Sequence, residues 1–255
     1  MDNMSDEEQK SAAGQRAAAF VHDGMRVGLG TGSTVRHTIL ELGRRIEQGL
    51  RIEGVPTSRA TQSLAEDLGI PLRSPDEVER LDITIDGADE FDPGFALIKG
   101  GGGALLREKI IAQMSDAFVV VADASKQVSI LGGFPLPVEI VAYGWERTAD
   151  AIRQALEAPV VLRRRPTSGP YSTRDVTIEA SDAGGPFVTD NGNLILDVHV
   201  GPTLVDPKGT EACLHGIAGV VEAGLFVGMC DAVVLAGDAG VSVLTSPQTR
   251  LDPTA

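Results

Sequence analysis

The segment Lys99-Gly100-Gly101-Gly102-Gly103-Ala104-Leu105-Leu106-Arg107-Glu108-Lys109 puts a cation, four consecutive glycines and a carboxylate on one loop-to-helix junction. A glycine loses more backbone freedom on folding than any other residue. A run of four therefore belongs where backbone must approach something closely or adopt positive φ. Glu108 falls in the first turns of the following helix, where the helix dipole stabilises a carboxylate; that accounts for it without catalysis. Ionised and set against an acidic C–H, the same group is a general base. Lys99 can stabilise negative charge developing on an oxygen. The combination suits proton transfer on an anionic substrate. Arg107 and Lys109 are expected on other helix faces, solvated or ion-paired.

Three further motifs have chemical potential. Gly28-Leu29-Gly30-Thr31-Gly32-Ser33-Thr34 is a glycine-rich turn between strand and helix. Exposed N–H groups beside a positive helix end favour phosphate, and the Thr31, Ser33 and Thr34 hydroxyls add donors. Position 33 is not the glycine of a dinucleotide fingerprint, and no Gly-Lys-Ser/Thr follows. A tight turn with capping hydroxyls is the competing reading. Asp86-Gly87-Ala88-Asp89-Glu90 follows a predicted strand, at the end where open α/β sheets bind ligands. Its three carboxylates repel one another, so at least one needs a raised pKa or a cationic partner. A solvated acidic turn fits equally, and no His stands nearby to complete a transition-metal site. Lys126, in Ala122-Asp123-Ala124-Ser125-Lys126, also falls at a strand end, as a ligand contact or a surface lysine. His22, His37, His199 and His215 are scattered and read as structural or solvated.

Alternating elements must position these groups. Helices are expected at 9–21, 35–47, 58–68 and 105–114, and strands at 25–30, 52–55, 81–85 and 117–122. The last of these is continuously apolar, as in a strand buried on both faces. This alternation argues for a parallel α/β sheet. From Phe134 the pattern becomes strand 138–143, helix 146–156, strand 160–164, strand 193–199, helix 208–217 and strand 220–226. That is the β-α-β-β-α-β order of a ferredoxin-like unit. Strand 231–236 is expected back in the first sheet. The domains are therefore 1–133 plus 227–255 and 134–226. A polar Pro166–Pro186 stretch reads as a loop or long hairpin.

The 255 residues carry 22 basic and 36 acidic side chains, a net charge of −14. This disfavours nucleic acid, which needs a basic face. An anionic substrate must be met by locally assembled positive charge. Cys213 and Cys230 lack metal-ligand spacing and are expected as buried free thiols. The acidic start and the absence of a long apolar run point to a cytoplasmic protein without a membrane partner.

The ordered set of motifs resembles the type A ribose-5-phosphate isomerase family. It comprises Gly30–Thr34, Asp86–Glu90, Lys99–Gly102, Arg107–Lys109, Ala122–Lys126, Phe134–Glu139 and Thr189-Asp190-Asn191-Gly192-Asn193. The resemblance spans essentially the whole chain. It implies an α/β domain with a ferredoxin-like second domain and interconversion of ribose 5-phosphate and ribulose 5-phosphate without cofactor or metal. On that pattern Glu108 moves a proton between C2 and C1, and Asp86, with Asp89 beside it, assists ring opening and hydroxyl proton transfer. Lys99 stabilises the enediolate. Thr31, Gly32, Ser33, Thr34, Gly87, Ala88, Gly100, Gly101, Gly102 and Lys126 complete the substrate contacts. The family also suggests a homodimer or homotetramer. Gly103 and Leu106 stand where the family pattern has alanine and threonine. A sugar-phosphate sensor, a CoA transferase using Glu108 as nucleophile and an amino-sugar-phosphate deaminase are the alternatives.

Overall fold

The computed structural model of the chain describes residues 5–165, 184–237, 240–249 and 251. In chain order the first elements are α1 (Asp6–Ala18), β1 (Arg26–Leu29), α2 (Ser33–Glu47), β2 (Glu53–Pro56), α3 (Arg59–Asp67), β3 (Ile83–Gly87), β4 (Glu90–Phe91), β5 (Leu97–Ile98), α4 (Leu105–Gln113) and β6 (Phe118–Asp123). There follow β7 (Leu136–Ile140), α5 (Trp145–Leu156), β8 (Val160–Leu162), β9 (Leu194–Val198), α6 (Pro207–His215), β10 (Val220–Ala223), β11 (Leu225–Phe226), β12 (Ala232–Gly237) and β13 (Gly240–Thr245). Contacts group Met1–Ala88, Arg107–Gln127 and Gly228–Ala255 in one compact unit, and Asp89–Leu106 with Val128–Val227 in a second.

The first unit is an α/β sheet in the order β13-β12-β6-β3-β1-β2. Five strands run parallel, and β13 is antiparallel on the edge. Side chains alternate across a strand. Val27, Leu29, Ile83, Ile85, Val119 and Val121 point into one core with Ala13 and Ala17 of α1 and Val35, Ile39 and Leu42 of α2. Gly28 and Thr84 face the other way, against Ile111 of α4. Helix α1 starts earlier than its alanines suggest, because Ser5 and Glu8 form a capping box.

In the second unit β7-α5-β8-β9-α6-β10 folds into an antiparallel sheet ordered β10-β7-β9-β8, the ferredoxin-like arrangement. Leu136, Val138, Ile140, Leu194, Leu196 and Val198 form its core with Ala149, Ile152 and Leu214. The opposite face carries two buried carboxylates, Glu139 and Asp197. A small sheet, β11-β5-β4, completes the unit.

Several expectations change. The strand expected at 81–85 runs to Gly87, which makes Asp86 a strand residue. The single strand expected at 220–226 breaks at Gly224. Its N–H donates to the Pro137 carbonyl (2.7 Å) and its own carbonyl accepts from Lys99 (2.9 Å), so the chain leaves one sheet for another there. Because β11 pairs with β5, residues 89–106 group with the second unit, where the sequence placed them in the first. Residues 128–133 follow them, tied by the Val128 N–H to the Phe91 carbonyl. Cys213 is exposed and Cys230 buried, both free. Residues 166–183 of the Pro166–Pro186 stretch lie outside the described residues. Among the described residues no helix is long and apolar enough to cross a membrane.

Candidate active site

Strands β2 and β3 flank β1 on opposite sides, so the winding reverses between β1 and β3. Open α/β sheets bind ligands at such a switch point, beyond the C-terminal strand ends. The loops there are Gly30–Thr34 and the segment from Gly87 onward. Asp86 is fully buried, and its Oδ1 accepts the N–H groups of Thr31 (2.9 Å) and Gly87 (2.7 Å). Gly30 lies opposite it, and a Cβ at that position would overlap the Asp86 carboxylate. The glycine is thus demanded by close approach. Gly30→Ala is expected to cost about 1–3 kcal/mol through overpacking and to displace Asp86. Denaturant unfolding and turnover together check this; an unchanged midpoint with full activity would contradict it.

Helix α2 starts at Ser33 with Gly32 at the N-cap, where φ is +137° and no side chain caps the first turn. Its leading N–H groups are therefore suited to an anion. Gly32 and Ser33 are exposed and Thr34 half-buried. The Thr31 hydroxyl, expected as a phosphate donor, meets those of Thr57 (2.7 Å), Ser58 (2.8 Å) and Thr61 (3.1 Å). Thr57 and Thr61 also bond the carbonyls of Leu29 (3.1 Å) and Gly30 (2.8 Å). The cluster ties the end of β1 to the end of β2 and the start of α3. Thr57, Ser58 and Thr61 carry one local signal, a Thr-Ser pair directly after a strand. Lys126 ends a 3-10 turn after β6, beside β3, and is half-buried.

Glu108 is 3% exposed. The Met114 carbonyl of the α4 end accepts from Leu81 (2.9 Å), before β3, and Ile111 packs at Thr84 level. Helix α4 thus runs antiparallel to β3. Glu108 lies one turn before Ile111 on this helix. Lys109, expected on an outer face as solvated or ion-paired, is 3% exposed, because α4 is enclosed on more than one side; Leu105, Ile111 and Ala112 are buried as well.

In the second unit Asp89 accepts the Gly101 N–H at 2.7 Å. Glu90 takes the N–H groups of Gly132 (2.7 Å) and Phe134 (2.5 Å). Each of the three carboxylates thus accepts at least one backbone N–H. Ala88 is half-buried between Asp86 and Asp89 in sequence. Lys99 is 2% exposed, with Nζ 5.3 Å from the Phe226 ring centroid. The Gly103 N–H bonds the Gly100 carbonyl (2.9 Å), closing a turn with φ of +105° at Gly100 and +83° at Gly103. A Cβ on Gly101 would lie 2.5 Å from Asp89. Gly102 is exposed. The Thr189–Asn193 motif turns out to hold a buried carboxylate. Glu139 Oε1 accepts from Thr189 Oγ1 (2.9 Å), Asn191 Nδ2 (3.0 Å) and Asn193 Nδ2 (2.9 Å). Among the described residues no cluster of three His, Cys, Asp or Glu side chains could hold a metal ion.

Residues 53–240 match the family model of ribose 5-phosphate isomerase A (phosphoriboisomerase A). The chain belongs to this family. It is 50% identical over 236 residues to ribose-5-phosphate isomerase A of Cereibacter sphaeroides, covering 92% of this chain and 90% of that one. Ribose 5-phosphate isomerase A from Methanocaldococcus jannaschii is similar in structure, with TM-score 0.84 and 38% identity, over 94% of this chain and 100% of that one. A D-ribose-5-phosphate isomerase solved in complex with phospho-erythronic acid gives TM-score 0.86 and 37% identity, over 95% and 100%. Ribose 5-phosphate isomerase A is an aldose–ketose isomerase family, and its α/β and ferredoxin-like parts are both present here.

Proposed function

We propose that the chain interconverts ribose 5-phosphate and ribulose 5-phosphate through an enediolate, in the non-oxidative pentose phosphate pathway, with Glu108 as the base. One observation carries this assignment. Glu108 is a buried carboxylate one turn from Ile111, on the helix that packs against Thr84 of β3, the strand that carries Asp86. In the open-chain aldose, Glu108 removes the C2 proton and the electron pair moves onto O1. Lys99 stabilises that oxygen. Asp86, with Asp89 next in the motif, opens the sugar ring and moves the hydroxyl proton from O2 to O1. Glu108 then returns its proton to C1, which leaves the ketose. The uncapped start of α2 with Ser33 and Thr34, together with Lys126, meets the phosphate. Thr31, Gly32, Gly87, Ala88 and Gly100–Gly102 complete the contacts. A relative's complex with phospho-erythronic acid supports this: a planar carboxylate resembles the planar enediolate, and the molecule carries a phosphate, as the substrate does.

The same reading takes the chemistry as metal-free and the protein as a cytoplasmic homodimer or homotetramer; light scattering tests the assembly. A coupled assay with ribose 5-phosphate, with and without chelator, tests the reaction. Turnover is expected, unaffected by chelator. No turnover would refute the function, and loss on chelation would refute the metal-free mechanism.

A further inference from the structure

The glycine turn is gripped by a pair of residues that the assignment above leaves out. Arg163, just after β8, and Asp197, on β9, are 2% and 1% exposed. Arg163 Nε donates to Asp197 Oδ2 at 2.9 Å, and Nη2 pairs with Oδ1. Nη1 donates to the carbonyls of Gly100 (2.7 Å) and Gly101 (3.1 Å). The Phe187 N–H bonds the Arg163 carbonyl at 2.9 Å, and its ring covers Gly103, where a Cβ would come within 2.5 Å. Every arm of the guanidinium fork is engaged, which fixes its plane.

Burial of an ion pair is a poor source of stability. The desolvation penalty offsets the attraction, and apolar pairs of similar volume often do as well. What this pair does specifically is aim two successive carbonyls. In a trans peptide the C=O of one residue and the N–H of the next point in opposite directions. With the Gly100 carbonyl turned to Arg163, the Gly101 N–H points away from it, and there it meets Asp89. With the Gly101 carbonyl turned the same way, the Gly102 N–H must also point away from Arg163. The turn is thereby pinned from both sides, by Arg163 on its carbonyls and Asp89 on an amide.

The geometry points to Arg163, held by Asp197, as a positioning residue for the isomerisation. It fixes the orientation of the Gly100–Gly102 backbone and of the Lys99 that leads into it. The inference rests on the proposed role of Lys99–Gly102 in binding substrate. It adds that the turn's geometry is imposed by side chains more than 60 residues away in sequence.

The test separates positioning from plain structural support. Arg163→Met alone strands Asp197 and is expected to lower both stability and turnover. The double variant R163M/D197L removes both charges and should recover the wild-type melting temperature. Its kcat should nonetheless stay roughly 100-fold down, the scale of a misplacement of about 1 Å, with KM for ribose 5-phosphate changed less than about threefold. Arg163→Lys keeps the charge pair, but a lone ammonium lacks the planar fork that holds Asp197 and two carbonyls together; its kcat should fall between the double variant and wild type. Wild-type kcat in a folded double variant, or in Arg163→Lys, overturns the inference. So does a loss confined to KM. If the wild-type chain did not turn over ribose 5-phosphate, the proposed function would fall and this inference with it. An active wild type with undiminished variants removes the inference alone.

Discussion

Glu108→Gln is expected to reduce the turnover of ribose 5-phosphate by about 1,000-fold, within the range a positioned general base supplies. The substitution keeps side-chain size but removes the ability to accept the C2 proton. Glu108 is nearly fully enclosed on α4, so no solvent base takes its place easily. Binding of phospho-erythronic acid, measured by calorimetry, should change only a few-fold, because the proposed phosphate contacts lie in other motifs. Steady-state kinetics decide the matter: a variant with close to the wild-type rate would show that Glu108 is not the base.

Lys99→Met has the next largest expected effect. The ammonium is buried beside Phe226 and precedes the glycine turn. In so enclosed a place its attraction for a developing oxyanion exceeds what it would be in water. The charge on O1 forms only as the proton leaves C2. Kcat should therefore drop by about 100- to 1,000-fold while KM moves little, the pattern of an interaction made in the transition state. A rise in KM with kcat intact would reassign Lys99 to ground-state binding.

The candidate site and its supports differ in how they are encoded. Lys99 with Glu108, Asp86 with Asp89, and Thr31 to Thr34 are each contiguous motifs, and turn chemistry and helix position depend on a residue's immediate neighbours. Their supports are different. Gly30 reads as part of a phosphate loop, yet its lack of a Cβ is fixed by Asp86, 56 positions away. The Thr31 hydroxyl reads as a ligand donor, yet it completes a cluster with Thr57, Ser58 and Thr61. Lys109 reads as solvated or ion-paired on an outer helix face, and it is buried. Arg163, the first of three arginines after β8, and Asp197, the one charge within β9, carry no local signal of their pairing.

The sequence alone determined the α/β alternation, the ferredoxin-like unit, the order of the motifs and the family they resemble. Hydrophobic period and turn residues are local, and they survive being read along a line. Only the tertiary structure decided that Asp86 belongs to a strand, that Gly224 passes the chain between two sheets, and that Arg163 grips the glycine turn. Each depends on strand order and register, which bring together polar groups that nothing in their own neighbourhood pairs.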